Sequence, residues 1–127
     1  MRTPGRLLRK IMLSFAAAAA LMAWAPSAFA HAHLLSSNPP ANAVVASPSI
    51  IVLRFNDVLE PRFSGFEITD SQHHAVNAPS HPDPNNGAIY TATPAAPLAP
   101  GLYHVNWRLV AHDGHRMRGS FDFTVRP

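Results

Sequence analysis

The chain has 127 residues, with ten lysines and arginines, seven carboxylates and no cysteine. Disulfide bonds and thiolate metal ligands are therefore excluded. Four of the basic residues fall within the first ten positions, and beyond residue 30 six arginines stand against seven carboxylates. This nearly neutral remainder shows no basic patch interleaved with aromatic residues, so composition argues against nucleic acid as a partner.

Residues 1–30 have the three parts of a secretory signal peptide. A positively charged start is followed by the apolar run "IMLSFAAAAALMAWA" and a small-x-small end at Ala28 and Ala30. The apolar run is about 15 residues, short of the roughly 20 that a membrane-spanning helix needs. We expect cleavage after Ala30, which makes residues 31–127 one exported, periplasmic domain; an uncleaved N-terminal anchor is the alternative.

The exported part is predicted to be all-β. Runs with period-2 alternation or β-branched residues, separated by proline-rich turns, favour strands over helices. Such short, punctuated strands indicate a small Greek-key β-sandwich or barrel of immunoglobulin-like type. The longest loop is expected between residues 72 and 87. The predicted strands cover residues 31–37 (an edge strand), 49–55, 63–70, 88–93, 101–110 and 119–126.

Alternation also predicts the core. In "GLYHVNWRLV" the residues Tyr103, Val105, Trp107 and Leu109 share one face, and polar residues share the other. Since successive side chains of a strand point to opposite faces, the apolar face is expected to pack inward.

Cleavage before His31 would place a free α-amine on a histidine. The amine and the imidazole of His31 can bind one metal ion together, because the reference pKa of the amine is near 8 and proton loss to a metal is not costly. Two nitrogens at neighbouring corners of a plane favour Cu(II).

The segment "AHDGHRMRG" offers a second pair of donors. Asp113 and His115 are two residues apart, so in an extended segment they project to the same side. Gly114 between them permits unusual backbone angles. A turn capped by an aspartate is the structural alternative for this motif alone.

The exported part resembles the CopC family of periplasmic copper-binding proteins. The resemblance rests on an N-terminal histidine followed, in order, by "SSNPPANA" (36–43), "IVLRFNDVLEPRFSG" (51–65) and "APLAPGLYHVNWRLVAHDGHRMRGSFDFTV" (96–125). It covers nearly all of residues 31–127 and implies a small Greek-key fold and a protein that is not an enzyme.

The resemblance also implies a ligand set. Cu(II) would be held by the amine and imidazole of His31 together with Asp113 and His115. Asp57, which follows the "LRF" strand, would be a weaker axial ligand or a hydrogen-bond acceptor beside the metal. Family members often occur with an inner-membrane copper transporter, of the CopD type, and the protein is expected to be a monomer that sequesters or delivers copper.

Several other histidines are left open by the sequence. Some family members bind Cu(I) through a methionine-rich loop, but the corresponding stretch, "ITDSQHHAVNAPSHPDP", has no methionine, and soft Cu(I) favours thioethers. His73, His74 and His81 lie there instead and are interpreted as solvated. His33, third from the expected N-terminus, could bind Cu(II) in a flexible peptide, but within an edge strand it is expected to lie beside the site.

Two other functions compete with copper storage or delivery. Small copper oxygenases also use an N-terminal histidine in a histidine brace, but they generally need a larger domain and a broad substrate face. An immunoglobulin-like interaction module without a metal is the second alternative. The sequence pattern shows no surface for a protein partner.

Overall fold

The computed structural model describes residues 32–127, and within them the chain forms eight strands and no helix. The predicted signal peptide and His31 lie outside the described residues. The strands are β1 (Leu34–Asn38), β2 (Val44–Val45), β3 (Ile51–Phe55), β4 (Gly65–Asp70), β5 (Ser80–Asp83), β6 (Asn86–Ala92), β7 (Gly101–Val110) and β8 (Arg116–Val125).

The strands form two four-stranded sheets, which confirms the all-β sandwich. One sheet has the order β1-β3-β6-β5 and the other has the order β2-β8-β7-β4. Only β5–β6 and β7–β8 are hairpins within one sheet, and every other connection crosses to the opposite sheet. All pairs are antiparallel except β2 with β8. No helix among residues 32–127 is long and apolar enough to cross a membrane.

The core lies between the inner faces of the two sheets, as the alternation predicts. Tyr103, Val105 and Leu109 of β7 are buried, and Trp107 packs against the core while remaining partly exposed. The opposite sheet supplies alternate residues of β3 in the same way. Fully buried side chains of the largest volume include Tyr90, Phe123, Ile51, Leu53, Leu59, Ile68 and Leu109.

Two short edge strands differ from the prediction. The stretch expected as the longest loop contains β5, which pairs with β6 at the sheet edge and includes Pro82. An edge position tolerates proline because one side of the strand needs no amide donor. β2 has two residues and pairs in parallel with the end of β8.

A ring contact joins the two sheets at one end of the sandwich. The rings of Phe55 on β3 and Trp107 on β7 meet edge to face, with centroids 5.7 Å apart. Trp107 lies opposite Gly119 of β8, and a Cβ placed on Gly119 would lie 2.6 Å from Cε2 of the indole ring and closer still to Cζ2. The glycine is therefore required by the close approach of this side chain rather than by backbone angles.

Candidate metal centre

The Asp113–His115 pair lies in the loop that closes the β7–β8 hairpin, residues 111–115. Val110 and Arg116 are the last paired residues of the two strands. The loop is closed by hydrogen bonds from the Ala111 amide to the His115 carbonyl at 3.0 Å and from the Gly114 amide to the Ala111 carbonyl at 2.9 Å. Gly114 has φ of 85°, a left-handed conformation that glycine adopts without a Cβ penalty.

This loop brings the two predicted donors into direct contact. Nδ1 of His115 lies 2.6 Å from Oδ2 of Asp113, and the His115 amide donates to Oδ1 at 3.1 Å. These hydrogen bonds, the side-chain one first, hold the pKa of the Asp113 carboxyl below its ordinary value. A carboxylate can only accept, so His115 carries its proton on Nδ1 when neutral, and Nε2 is then the nitrogen with the lone pair.

The loop is anchored to the segment that precedes β4. Leu59 forms a β-bridge with Ala111, and the Glu60 amide donates to the Val110 carbonyl at 2.9 Å. The buried Ser64 hydroxyl accepts a hydrogen bond from the Val110 amide at 2.9 Å. The end of β7 is thus fixed by two main-chain contacts and one side-chain hydroxyl, which limits the positions that the Asp113–His115 pair can take.

The start of the described chain lies at the same end of the sandwich. The amide of His33 donates to Oδ1 of Asn56 at 2.7 Å, and the Asn56 amide donates to the His33 carbonyl at 3.1 Å. Three residues span at most roughly 10 Å, so Asn56 cannot be far from Leu59 and its partner Ala111. Ala32, one residue earlier than His33, is 5% exposed and belongs to the core.

Asn56 holds the start of the described chain at this end of the sandwich, a role that the sequence pattern does not indicate. It directly follows the strand predicted over residues 49–55. A short polar residue after a strand often bonds to nearby main chain, but a partner 23 positions away is set by the tertiary fold and leaves no local signal.

The other acidic and histidine side chains of this end have partners of their own. Oδ1 of Asp57 accepts from the adjacent Val58 amide at 2.8 Å, in an exposed position. Nδ1 of His112 lies 3.3 Å from Oε1 of Glu60, and its side chain is 60% exposed. Asp57 and His112 both lie in the segments joined by the Leu59–Ala111 bridge.

The histidines of the 72–87 stretch are divided between the two sheets. His73 stacks on His104 of β7 with ring centroids 5.3 Å apart, and His74 lies 3.4 Å from Asp70. His81 is on β5 in the opposite sheet, where it pairs with Thr91. The three side chains therefore do not converge on one point.

Within residues 32–127 no three histidine or carboxylate side chains are placed to hold one metal ion. The Asp113–His115 pair offers one imidazole and one carboxylate, each 61% exposed. Imidazole and carboxylate suit a tetragonal Cu(II) site when further nitrogens are supplied. The chemistry of the pair fits half of the predicted ligand set.

Comparisons with known proteins all indicate one family. The model of the CopC domain matches residues 34–126. The copper resistance protein C of Xanthomonas campestris pv. juglandis is 37% identical over 106 residues, which cover 79% of this chain and 84% of that protein.

Two solved structures agree with the fold. The crystal structure of PcoC, described as a methionine-rich copper resistance protein from Escherichia coli, matches with a TM-score of 0.70 and 36% identity, covering 76% of this chain and 100% of that one. CopC from Methylosinus trichosporium OB3b matches with a TM-score of 0.69 and 34% identity, over 76% of this chain and 95% of that one.

Proposed function

Because the chain belongs to the CopC family of copper resistance proteins, we propose that it binds Cu(II) in the periplasm and stores the ion or passes it on. The ligands proposed are the α-amine and imidazole of His31, the imidazole of His115 and a carboxylate oxygen of Asp113. The observation that carries this proposal is the Asp113–His115 contact at 2.6 Å, held on a loop at the end where β1 begins.

The geometry of the pair supports a role for both residues. A carboxylate on one ring nitrogen of a metal-binding histidine fixes the orientation of the ring and makes it a better donor. With Nδ1 facing Asp113, His115 would present Nε2 to the metal. The contact with Nδ1 orients this ring in the metal-free protein. Because Nδ1 and Nε2 lie on opposite sides of the ring, the Asp113 carboxylate would have to leave Nδ1 to give an oxygen to an ion on Nε2.

The contacts of His33 support a role beside the metal rather than on it. A flexible peptide binds Cu(II) through its ionised amides, but the amide of His33 donates to Asn56 and Ala32 is buried. Copper binding through these amides would break that hydrogen bond and expose the core residue. Asp57 is proposed only as a weaker ligand, since its carboxylate accepts from Val58.

Export is part of the proposal. The CopC family is typically periplasmic, and the proposed ligand set requires that cleavage after Ala30 exposes the amine of His31. An inner-membrane transporter of the CopD type is the partner that fits a carrier of copper. Mass spectrometry of the exported protein tests the cleavage position directly.

The family is one of non-enzymatic copper-binding resistance proteins, which does not support the oxygenase alternative. The proposed carboxylate would also occupy a position at the copper that an oxygenase leaves open to oxygen. A metal-free interaction module is separated from the proposal by the experiment that follows.

The experiment compares Cu(II) titrations of the processed protein and of a variant with one glycine added before His31. The addition moves the α-amine off the histidine, so Cu(II) affinity should fall and the EPR spectrum should lose one nitrogen donor. Affinity of the processed protein should also fall as the pH decreases, because the amine and both imidazoles must be deprotonated to bind.

Two outcomes of these titrations would contradict the proposal. If the extended variant keeps the same Cu(II) affinity and the same EPR spectrum, the N-terminal amine is not a ligand. If neither form binds Cu(II) more tightly than a histidine-free control peptide, the interaction module is the better description.

A further inference from the structure

Four of the six arginines beyond residue 30 lie together on the outer face of the β7–β8 hairpin and beside it. Arg108 of β7 is directly opposite Arg118 of β8, and Arg116 lies two residues from Arg118 on the same face. Arg62 precedes β4, and all four are exposed. We call this set, Arg62, Arg108, Arg116 and Arg118, the arginine face.

The arginine face forms two adjoining clefts. One cleft is lined by Arg62, Phe63, Arg108, Arg116 and Arg118 among others. Arg108 and Arg118 also line the second cleft, next to Asn106 and Ser120, where Glu67 is the one acidic lining residue. Positive charge therefore dominates a concave surface that also carries hydrogen-bonding side chains.

No arginine of the arginine face forms an ion pair with a carboxylate side chain of residues 32–127. The ion pairs between side chains of residues 32–127 all involve histidine. Like charges directly opposite each other on a sheet are destabilising. The Arg108–Arg118 pair is thus a local cost to the fold that a bound anionic partner would remove.

An exposed aromatic ring adjoins the arginines. Phe63 is 59% exposed and lines the same cleft as Arg62 and Arg116. Arginine and aromatic residues are enriched in protein interfaces, and the planar guanidinium group binds carboxylates in a bidentate manner that lysine cannot reproduce. All basic residues of this domain are arginines.

We propose that the arginine face binds an acidic segment of a partner protein. The segment would place carboxylates between the guanidinium groups and an apolar side chain on Phe63. The surface is concave rather than flat, which favours an extended peptide over the surface of a membrane. This binding would not require a metal ion, and it goes beyond the proposed function.

The arginine face lies next to the loop that carries two of the proposed metal ligands. Arg116 begins β8 immediately after His115, so the arginine face borders the 111–115 loop. A partner bound there would stand beside the Asp113–His115 pair, which is where a protein that donates or accepts a metal ion has to be.

The test uses the protein as processed on export, free of metal, and a fluorescein-labelled poly-glutamate peptide of about ten residues. Fluorescence polarisation should show saturable binding that weakens as ionic strength is raised to about 0.15 M and beyond. The Arg118→Glu variant should bind on the order of tenfold more weakly. In this variant a glutamate faces Arg108, so an attractive pair replaces a repulsive one. The variant should therefore melt at a higher temperature than the original protein, and weaker binding could not be attributed to unfolding.

Matched controls come from arginines outside the arginine face. Arg54 lies on β3 of the opposite sheet and Arg126 follows β8, and both are exposed; Arg54→Glu and Arg126→Glu should leave peptide binding unchanged. An equal loss in these variants, or no saturable binding, overturns the proposal. Vesicles of phosphatidylglycerol and phosphatidylcholine are tested in parallel, and binding to vesicles alone, abolished by Arg118→Glu, assigns the face to a membrane and also overturns it.

Discussion

At the scale of single residues, Asp113, Gly114 and His115 form a unit in which each residue has a separate task. Gly114 takes the positive φ that closes the loop, the Asp113 carboxylate accepts two hydrogen bonds, and His115 donates both. A Cβ on Gly114 would meet no atom within 4 Å. The glycine is therefore set by its backbone angle alone.

Substitution of either proposed ligand, Asp113 or His115, should weaken copper binding without unfolding the domain. Asp113→Ala removes a proposed ligand that also orients the His115 ring, so the loss in metal affinity should be at least the roughly 10- to 100-fold that loss of an orienting partner alone typically costs. His115→Ala removes the proposed imidazole ligand and should cost at least as much. Cu(II) titration monitored by EPR measures both effects.

His81→Ala is the matched control, because this histidine is exposed on β5 and lies in the opposite sheet from the β7–β8 hairpin. Its affinity should equal that of the unsubstituted protein. If Asp113→Ala and His115→Ala bind copper as tightly as the control, the assignment of the pair is wrong.

At the scale of elements, the segment before β4 holds the end of β7 through main-chain contacts and one buried hydroxyl, that of Ser64. Ser64→Ala would leave the Val110 amide without its hydrogen-bond partner. Val110 is half-buried, so the loss should be close to the value of one ordinary hydrogen bond, about 1 kcal/mol, and the free energy of unfolding measured by urea denaturation should fall by that amount. Ser120→Ala, on the exposed face of β8, should change it little, and an equal loss in both variants would contradict the role of the Ser64 hydroxyl.

The turn after β4 is stabilised by the carboxylate of Asp70, and this stabilisation depends on pH in a direction that its pKa shift sets. Oδ1 of Asp70 accepts from the amides of Gln72 and His74, at 2.9 Å each. The His74 main-chain bond is the largest of the causes that hold the pKa of Asp70 below its ordinary value. A lowered pKa in the folded state means that the stabilisation is complete above the unfolded-state pKa, near 3.9, and is lost as pH falls through the folded-state pKa.

An NMR titration of the Asp70 carboxyl carbon measures this effect. The midpoint should lie below 3.8, the ordinary value. In Asp70→Ala the part of the acid destabilisation that comes from this turn should disappear. A midpoint at or above the ordinary value would show that the two amides do not stabilise the charged form.

The strands with clear alternation could be predicted from the sequence, and the short edge strands could not. The predicted bounds of β7 equal the observed ones. Its residues 103–109 alternate between apolar and polar, and this alternation indicates which face is buried. β2 and β5 carry too few residues for a pattern, and their pairing depends on where distant strands lie. Prolines at Pro82 and around β2 made the same stretches resemble loops.

At the scale of the whole molecule, the distribution of charge could not be predicted either. Composition gives a nearly neutral domain, and no basic run occurs beyond residue 30. The arginine face results from the register of β7 and β8, which places Arg108 opposite Arg118. Asp113 and His115 are two residues apart in sequence, so their proximity could be predicted, although the segment forms an aspartate-capped turn rather than the extended stretch on which the prediction rested. The contact of His33 with Asn56 depends on strand pairing instead.

Copper should stabilise the whole domain. A ligand that binds only the folded state adds about 2.7 kcal/mol when its free concentration is a hundred times its dissociation constant. The melting temperature of the processed protein should therefore rise on addition of Cu(II), as measured by circular dichroism. The variant with glycine before His31 should show a smaller rise at the same free Cu(II), and identical shifts would indicate binding elsewhere.

The space left by the missing side chain of Gly119 is occupied by the indole of Trp107. The residue types at positions 107 and 119 therefore depend on each other. A strand glycine ordinarily leaves a gap in the packing, but here the gap holds Trp107, whose ring also contacts Phe55 across the sandwich. In any descendant of this sequence, a bulkier residue at position 119 would have to arrive together with a smaller one at position 107. Positions 107 and 119 should therefore covary in size, although eleven intervening residues separate them along the chain.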